Sequence, residues 1–212
     1  MERISPQEPT NFNGLVLIGE SPGRQELEQG IPFVGRSGGL LNTVLTEVGI
    51  DRTRCLVTNV FLSRPENDKI DLFFRPRHAD GDQLQEDEDF VNRYGLYRNR
   101  VVCDDHRYDM KRLDDELVRY PPKIILTLGA TALWRVTTIN GITEARGKWN
   151  LIKRGDHLVG VLPTWHPAAV LRDRNNKLPE FVADIKSVKD VLAGLTPRSD
   201  SEGGVLDGLA SE

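Results

Sequence analysis

Residues 14–23 read Gly-Leu-Val-Leu-Ile-Gly-Glu-Ser-Pro-Gly, and the class of the fold can be inferred from them. The apolar run at residues 15–18 lies between two glycines, which is typical of a short strand buried on both faces of a sheet. A turn bounded by glycine and proline follows the run at once. Buried strands of this kind occur where helices cover both faces of a parallel sheet, so the stretch predicts an α/β fold.

Further along the chain, apolar runs at residues 55–60 and 124–128 predict two more buried strands. Residues 149–152 and 158–162 predict the two arms of a hairpin. Apolar residues at helical spacing predict four helices, at residues 40–48, 109–120, 130–136 and about 180–193. Because short strands alternate with helices, we predict a parallel sheet with helices on both faces.

The chain has 212 residues, which is enough for one domain with its own core. We predict a single domain over residues 1–195. Within it, residues 70–106 are charged and poorly periodic, and we expect either a functional loop or a small inserted subdomain. Residues 196–212 are rich in glycine, serine and acidic residues, a composition that predicts a disordered tail.

Composition excludes several classes of protein. No apolar run approaches the roughly 18 residues of a membrane span, and no apolar block follows the first residues, so we expect an intracellular, cytoplasmic protein. The net charge of −4 is not typical of a nucleic-acid-binding protein, although clustered arginines could still form a local basic face. Cys55 and Cys103 lie far apart in the sequence, and we expect free thiols.

The polar residues after the predicted strands are candidates for function, because ligands of such sheets bind outside the carboxyl ends of the strands. The turn at residues 19–23 can expose backbone N–H groups near a helix start, where an anion binds. Glu20 and Glu26 could orient water or stabilise positive charge there. The alternative is a plain strand-to-helix turn, since short glycine motifs have many false positives.

Three further side chains are candidates for a functional site. Phe33 lies in a stiff Pro-Phe-Val-Gly segment and could stack on a base, although phenylalanine is more commonly a core residue. Asn59 carries a donor and an acceptor that match the O4 and N3–H edge of uracil, or it simply ends the strand in a turn. His166 precedes a proline, which restricts its backbone and aims the imidazole into the cleft; the commoner role of a lone histidine is structural.

Other catalytic patterns are absent from the sequence. It contains no GxxxxGK[ST] phosphate loop, no HExxH and no GxSxG. We therefore expect neither phosphoryl transfer with a nucleotide nor zinc proteolysis.

Together, these motifs resemble those of the uracil-DNA glycosylase superfamily, in particular its family-four-like branch. They occur in the same order, each at a strand end or in an adjoining loop, between about residues 15 and 191, with residues 70–106 as an insertion. The matching segments are residues 19–23, 26, 32–35, 58–60, 128–129 and 166–168. The resemblance implies a three-layer α/β/α sandwich around a short, mostly parallel, four-stranded sheet, with a DNA groove across the carboxyl ends of the strands.

The resemblance also implies a role for each matching residue. Phe33 would stack on the base, Asn59 would read its Watson–Crick edge, and Ser21 would border the base pocket. Catalysis would depend on Glu20, Glu26 and His166. The first two would position or activate water, and the histidine would hydrogen-bond the O2 side of the base. A loop at residues 167–172 would enter the duplex. The implied DNA contacts are Gly23, Arg24, Pro167, Ala168, Leu171 and Arg172.

The sequence departs from the family pattern at two positions and lacks a feature of one branch. Family-four enzymes usually carry four cysteines that bind an iron–sulfur cluster, whereas Ser63 stands where one of them is expected. We therefore expect no cluster, no other cofactor and no metal. Ser21 stands where a smaller residue is usual, which bears on base specificity. Residues 64–69 lack the histidine of the covalent-trapping branch, so we expect no covalent trapping.

The sequence therefore predicts a monomeric DNA glycosylase that acts on DNA, with uracil as the first candidate for the excised base. Ser21 and the insertion favour a modified pyrimidine as an alternative. The acidic composition favours a second alternative, a non-catalytic DNA-binding or protein-interaction module with the same fold.

Overall fold

The computed structural model describes residues 2–78 and 81–194 and the backbone of residues 205–206. Its strands are β1 (Leu15–Gly19), β2 (Leu56–Asn59), β3 (Phe74–Arg75), β4 (Val101–Val102), β5 (Ile124–Leu128), β6 (Asn150–Arg154), β7 (His157–Thr164) and β8 (Val205–Leu206). Its helices are α1 (Arg24–Gln29), α2 (Arg36–Glu47), α3 (Gly81–Tyr94), α4 (Asp104–Arg119), α5 (Ala130–Thr137), α6 (Ile142–Ala145), α7 (Pro167–Arg172) and α8 (Arg174–Leu192).

Four parallel strands form the centre of the main sheet, in the order β2-β1-β5-β7. The prediction of four mostly parallel strands is confirmed for this centre, but the whole sheet has six strands. The predicted hairpin adds β6 antiparallel to β7, and β8 pairs with β6. The parallel register places the carboxyl ends at one edge, where Gly19 pairs with Asn59 and Leu128 with Thr164.

Each face of the sheet has its own core, because alternate residues of a strand point to opposite faces. In β1, Val16 and Ile18 belong to the cluster under α4 and α5. Leu15 and Leu17 belong to the cluster under α2 and α8. Burial of side chains of this size stabilises the fold by about 1.5–3 kcal/mol each. The two helical layers make this the predicted three-layer α/β/α sandwich.

Residues 70–106, which we call the insertion, contain regular secondary structure in the part that the structure describes. Whether they are a functional loop or an inserted subdomain stays a prediction. The insertion contains a 3-10 turn at Ile70–Phe73, the antiparallel pair β3–β4, helix α3 and the start of α4. Phe74 and Tyr97 of this segment are buried and pack against Trp134 of α5. The insertion therefore shares the core of the domain.

Helical spacing does not reveal α3, because its sequence is mostly charged and its buried face includes a carboxylate. Asp87 is fully buried and pairs with Arg75 and Arg107. The Arg75 guanidinium holds the pKa of Asp87 well below its usual range. Ion pairs supplied by distant residues are invisible to a local pattern.

Three helices begin earlier than predicted. α4 begins at Asp104 rather than at residue 109, α8 at Arg174 rather than near residue 180, and α2 at Arg36 rather than at residue 40. The sequence does not indicate the start of α2, because its first turn contains two glycines, which disfavour a helix. Gly38 is required because a Cβ at that position would overlap the backbone of Phe33.

The predicted tail, residues 196–212, lies outside the described residues except for the backbone of β8. The domain boundary at residue 195 stays a prediction. Among the described residues, no helix is both long enough and apolar enough to cross a membrane.

Candidate active site

A cleft of about 660 Å³ lies at the carboxyl ends of the four parallel strands. All four strand ends contribute to its wall, through Glu20, Asn59, Gly129 and His166. This is the edge of the sheet at which the sequence predicts function. A second cavity, of about 640 Å³, lies at the opposite edge beside α4 and contains none of the predicted site residues.

Phe33 lies in the wall of the cleft and is 5% exposed. Its φ of 55° is in the left-handed region, which is uncommon for a residue other than glycine. Arg52 stabilises this conformation by donating hydrogen bonds to the carbonyls of Phe33, at 2.9 Å, and of Pro32. Phe33 also belongs to the core cluster under α2. It is therefore both a core residue, as the alternative prediction has it, and part of the cleft wall.

Asn59 ends β2 directly beside Gly19. It is 2% exposed, and its Oδ1 atom has no hydrogen-bond partner among the described residues. A Cβ at position 19 would overlap both Asn59 Oδ1 and Phe33 Cζ, so glycine at this position lets the amide and the ring lie side by side. A buried acceptor without a donor is costly, which makes this oxygen available to a ligand.

Arg112 of α4 holds the end of β2, which carries Asn59, through hydrogen bonds to the backbone. The guanidinium donates hydrogen bonds to the carbonyls of Asn59, at 2.7 Å, and of Val60, at 2.8 Å. It also donates to Thr58 Oγ1 at 3.0 Å and to Glu116 Oε1 at 2.7 Å. Arg112 is 8% exposed, so these bonds form away from bulk water.

His166 follows β7 and is the N-cap residue of α7. Its Nδ1 accepts a hydrogen bond from the Ala168 backbone N–H at 3.2 Å, so the neutral imidazole carries its proton on Nε2. Burial lowers the pKa of His166 to about 4, with Arg172 acting in the same direction and Glu26 against it. The imidazole is therefore neutral at neutral pH. Its ring centroid lies 6.3 Å from that of Phe33.

Acid is expected to destabilise the fold through His166. The imidazole of the unfolded chain binds a proton below about pH 6.5, whereas in the folded protein burial lowers the pKa of His166 to about 4. Stability therefore falls as the pH falls through that window. Between about pH 7 and pH 4.5, the wild type should lose roughly 2 kcal/mol more unfolding free energy than His166→Asn, which keeps a helix-capping group. Urea unfolding at both pH values measures this difference, and equal losses would contradict the assigned shift.

The two predicted carboxylates have different surroundings, although both line the cleft. Glu20 accepts a hydrogen bond from Thr131 Oγ1 at 2.6 Å, and burial raises the pKa of Glu20 despite that bond. Glu26 Oε1 accepts from the backbone N–H groups of Val34, at 3.0 Å, and Gly35, at 2.7 Å. Glu26 thus fixes the turn before α2, and one of its oxygens already has two donors.

Arginine side chains from several loops and helices line the cleft, namely Arg24, Arg36, Arg64 and Arg172. Arg24 and Arg64 each pair with a carboxylate four residues later. Arg36 and Arg172 are exposed. Arg36 and Arg64 are not among the candidates predicted from the sequence. The cleft is thus rich in arginine although the whole chain has a net charge of −4.

The predicted DNA-contacting residues fall into two groups. Those that line the cleft are Gly23, Arg24, Ala168 and Arg172, and the predicted base neighbour Ser21 lies with them. Pro167 and Leu171 lie outside the lining, because Pro167 is buried and Leu171 packs against the core under α2. The expectation of a loop at residues 167–172 is wrong. This segment is helix α7, which is favoured by a proline at its first position and by the His166 cap.

The residues present do not fit a four-thiolate cluster. The chain contains two cysteines, and both are free. Burial raises the pKa of Cys55 to about 11, so its thiol is protonated, and Cys103 is half-buried. Within the part of the chain that the structure describes, no group of three or more potential metal ligands lies together. The side chain of Ser63, at the position of one expected cysteine, is fully buried.

Three residues that support the site escape sequence reasoning: Arg52, Arg112 and Thr131. Thr131 could have been found, because it lies two residues after Gly129, at a predicted strand end. Arg52 and Arg112 have no local signal. They act on Phe33 and Asn59 from 19 and 53 residues away.

Comparison with known proteins gives one family and several similar enzymes. The family profile described as the uracil DNA glycosylase superfamily matches residues 8–187. A type-4 uracil-DNA glycosylase of Thermotoga maritima is 31% identical over 181 residues, which is 84% of this chain and 77% of that protein. The matched residues include all four strand ends that line the cleft.

Two archaeal proteins show a comparable similarity. The type-4 uracil-DNA glycosylase of Sulfurisphaera tokodaii is 29% identical over 191 residues, covering 87% of this chain and 71% of that protein. The type-4 uracil-DNA glycosylase of Archaeoglobus fulgidus is 29% identical over 185 residues, covering 86% of this chain and 79% of that protein.

Proposed function

Since the chain belongs to the uracil DNA glycosylase superfamily, we propose that it hydrolyses the N-glycosidic bond of a pyrimidine extruded from DNA and leaves an abasic site. We propose uracil as the base. The observation that supports this best is the convergence of Phe33, Asn59 and His166 on one cleft. Reading a flipped base requires an apolar stacking surface and hydrogen-bonding groups at the base edges, and these three side chains supply both.

In the proposed complex, the base stacks on Phe33 and pairs with the amide of Asn59. Asn59 Oδ1 accepts from N3–H of uracil, which satisfies an acceptor that has no partner among the described residues. The amide nitrogen donates to O4. Cytosine has no hydrogen on N3 and carries an amino group in place of O4, so it makes neither bond with the amide in this orientation.

His166 serves the leaving group. Cleavage of the bond leaves negative charge on the base and positive charge on the sugar. The Nε2–H of His166 donates to O2, where the negative charge develops. Because Nδ1 is already bonded to Ala168, the donor is aimed before the reaction begins. Preorganised donors of this kind usually make the largest single contribution to catalysis.

Glu20 acts on the sugar and on the attacking water. Its carboxylate orients the attacking water and favours the positive charge that develops on the sugar. We assign this role to Glu20 rather than to Glu26, because one oxygen of Glu26 is already held by two backbone donors.

The arginines that line the cleft support DNA as the substrate. Guanidinium groups bind phosphates with charge-assisted hydrogen bonds, and phosphate contacts fix the register of a protein on DNA without reading its sequence. Arg36 and Arg172 are exposed in this lining and can reach a backbone that passes over it. The base itself is then read by the side chains deeper in the cleft.

The experiment that tests the function is an oligonucleotide panel scored for abasic sites by alkaline cleavage. It contains uracil opposite guanine, uracil opposite adenine, single-stranded uracil, thymine opposite guanine and pyrimidines with bulky 5-substituents. We expect excision of uracil, fastest where extrusion costs least, in single strands and opposite guanine. A parallel preparation of His166→Ala detects contaminating activity.

Each result of the panel decides between the candidates. Excision of modified pyrimidines without uracil would overturn uracil as the base and keep the glycosylase. Binding of the oligonucleotides without any abasic sites would overturn the enzyme in favour of a DNA-binding module.

A further inference from the structure

The inserted segment reaches the candidate active site through Tyr97. The Tyr97 hydroxyl lies 3.3 Å from Thr131 Oγ1, and Thr131 Oγ1 lies 2.6 Å from Glu20 Oε2. Tyr97 is 2% exposed, and Thr131 is fully buried. A chain of hydrogen-bonding groups therefore runs from the insertion, through the start of α5, to a carboxylate in the cleft wall.

The hydroxyl hydrogens of this chain have one consistent arrangement. An ionised carboxylate can accept but cannot donate, and a threonine hydroxyl has a single hydrogen. Thr131 therefore donates to Glu20, and the phenol of Tyr97 is left to donate to Thr131 Oγ1. Burial raises the pKa of Tyr97, so the phenol keeps its proton. Linked hydrogen bonds polarise one another, so donation by Tyr97 strengthens the bond to Glu20.

The insertion holds the Tyr97 hydroxyl in place. The ring centroid of Tyr97 lies 4.6 Å from that of Phe74 and 5.3 Å from that of Trp134. The backbone N–H and carbonyl of Tyr97 both bond to Arg100 at 3.0 Å, which closes a tight turn. The hydroxyl is thus positioned by residues 70–106 together with Trp134 of α5, and not by the cleft itself.

We propose that Tyr97 and Thr131 are positioning residues for Glu20, so that the insertion is part of the catalytic architecture. This inference rests on the proposed function, in which the Glu20 carboxylate orients water. Among the described residues, the charged groups that act on Glu20 are Arg98 and Asp71, both from the insertion. Arg98 favours the ionised carboxylate and Asp71 opposes it.

The two hydroxyls have a predictable effect on the titration of Glu20. Burial raises the pKa of Glu20, while the hydrogen bond from Thr131 and the cation of Arg98 lower it. Removal of the Thr131 hydroxyl removes one of the two interactions that lower the pKa of Glu20. The effect of burial then raises this pKa further. Because Glu20 acts in its ionised form, the acid limb of the rate profile moves to higher pH.

The test compares Thr131→Val and Tyr97→Phe, which remove one hydroxyl each, with the wild type. Thr131→Val should lower kcat roughly tenfold or more, because it loses a hydrogen bond to a charged group. Tyr97→Phe should lower kcat about threefold to tenfold, since it loses a bond between neutral groups. KM should change little, and the acid limb of kcat should move to higher pH in both. Thr131→Ser should restore the wild-type profile.

The matched control is Tyr94→Phe. Tyr94 is a buried tyrosine of the same insertion, but its hydroxyl donates to Asp114 at 3.1 Å, at the cavity on the other edge of the sheet. This variant should keep the wild-type pH profile. A shift as large as that of Tyr97→Phe would overturn the inference, because it would reflect damage to the insertion in general.

A second readout needs no turnover. The Glu20 carboxyl is titrated by ¹³C NMR in the free protein, with Glu20→Gln to assign its signal. A higher titration midpoint in Thr131→Val and Tyr97→Phe supports the inference, and an unchanged midpoint in both overturns it, whatever the excision rates. If the midpoints move but Glu20→Gln excises at the wild-type rate, it is the proposed role of Glu20 in catalysis that fails.

Discussion

Replacement of His166 by alanine is expected to lower the excision rate about 10²–10³-fold, because the developing O2 anion loses its preorganised donor. The loss should appear in single-turnover rates, with little change in DNA affinity. The reason is that the donor stabilises negative charge on O2, which is large in the transition state and small in the bound base before cleavage. Single-turnover excision and DNA binding, measured on the same protein, separate the two effects.

The structural role of His166 must be separated from its chemical role, since its Nδ1 also caps α7. His166→Ser keeps an oxygen that can cap the helix but is too short to reach the base. It should lose as much rate as His166→Ala and be more stable. His157→Ala removes an exposed histidine at the other end of β7 and should excise at the wild-type rate. Wild-type excision by folded His166→Ala would refute the assigned role.

The central strands could be predicted from the sequence because they are buried on both faces. A strand such as β5 (Ile124–Leu128) is a run of apolar residues that needs no distant partner to be recognised. The topology rule for parallel sheets then places the residues after each strand at one edge. Asn59 and His166 line one cleft for this reason, and Phe33 lines the same cleft from the loop between α1 and α2. Their roles on a bound base stay predictions.

The supporting residues could not be predicted, because their function depends on pairings between distant segments. In the sequence, Asp87 is one of several acidic residues in a row. In the structure it is buried and pairs with two arginines from outside α3. Tyr97 reads as part of an irregular insertion, yet its hydroxyl lies within reach of Thr131. Local patterns report periodicity and turn chemistry, and neither contains the partner of a buried polar group.

The segment at residues 167–172 shows a different limit. The resemblance to a family implies a loop, whereas the local sequence contains a helix signal. Proline at the first helical position and a capping side chain before it favour a helix start. Local physical chemistry is the better guide here, because the proline and the capping side chain act within the segment itself.

Replacement of Arg112 by alanine is expected to lower the free energy of unfolding by about 3–5 kcal/mol, the range for the loss of one partner from a buried ion pair. The guanidinium satisfies the carbonyls of Asn59 and Val60 and the hydroxyl of Thr58. Its removal leaves these groups and the carboxylate of Glu116 without a donor. Urea unfolding measures the loss, and excision at a temperature where the variant stays folded should also fall, because the Asn59 strand end is no longer fixed.

The neighbouring residue on α4 provides a matched control for burial. Lys111 pairs with Asp115 at the same four-residue spacing as Arg112 with Glu116. The side chains of the first pair are 69% and 64% exposed, whereas those of the second are 9% and 11% exposed. Water replaces the lost partner in the exposed pair, so Lys111→Ala should cost at most about 1 kcal/mol. Equal losses in the two variants would mean that Arg112 stabilises the protein as an ordinary helix ion pair and does not fix the strand end that carries Asn59.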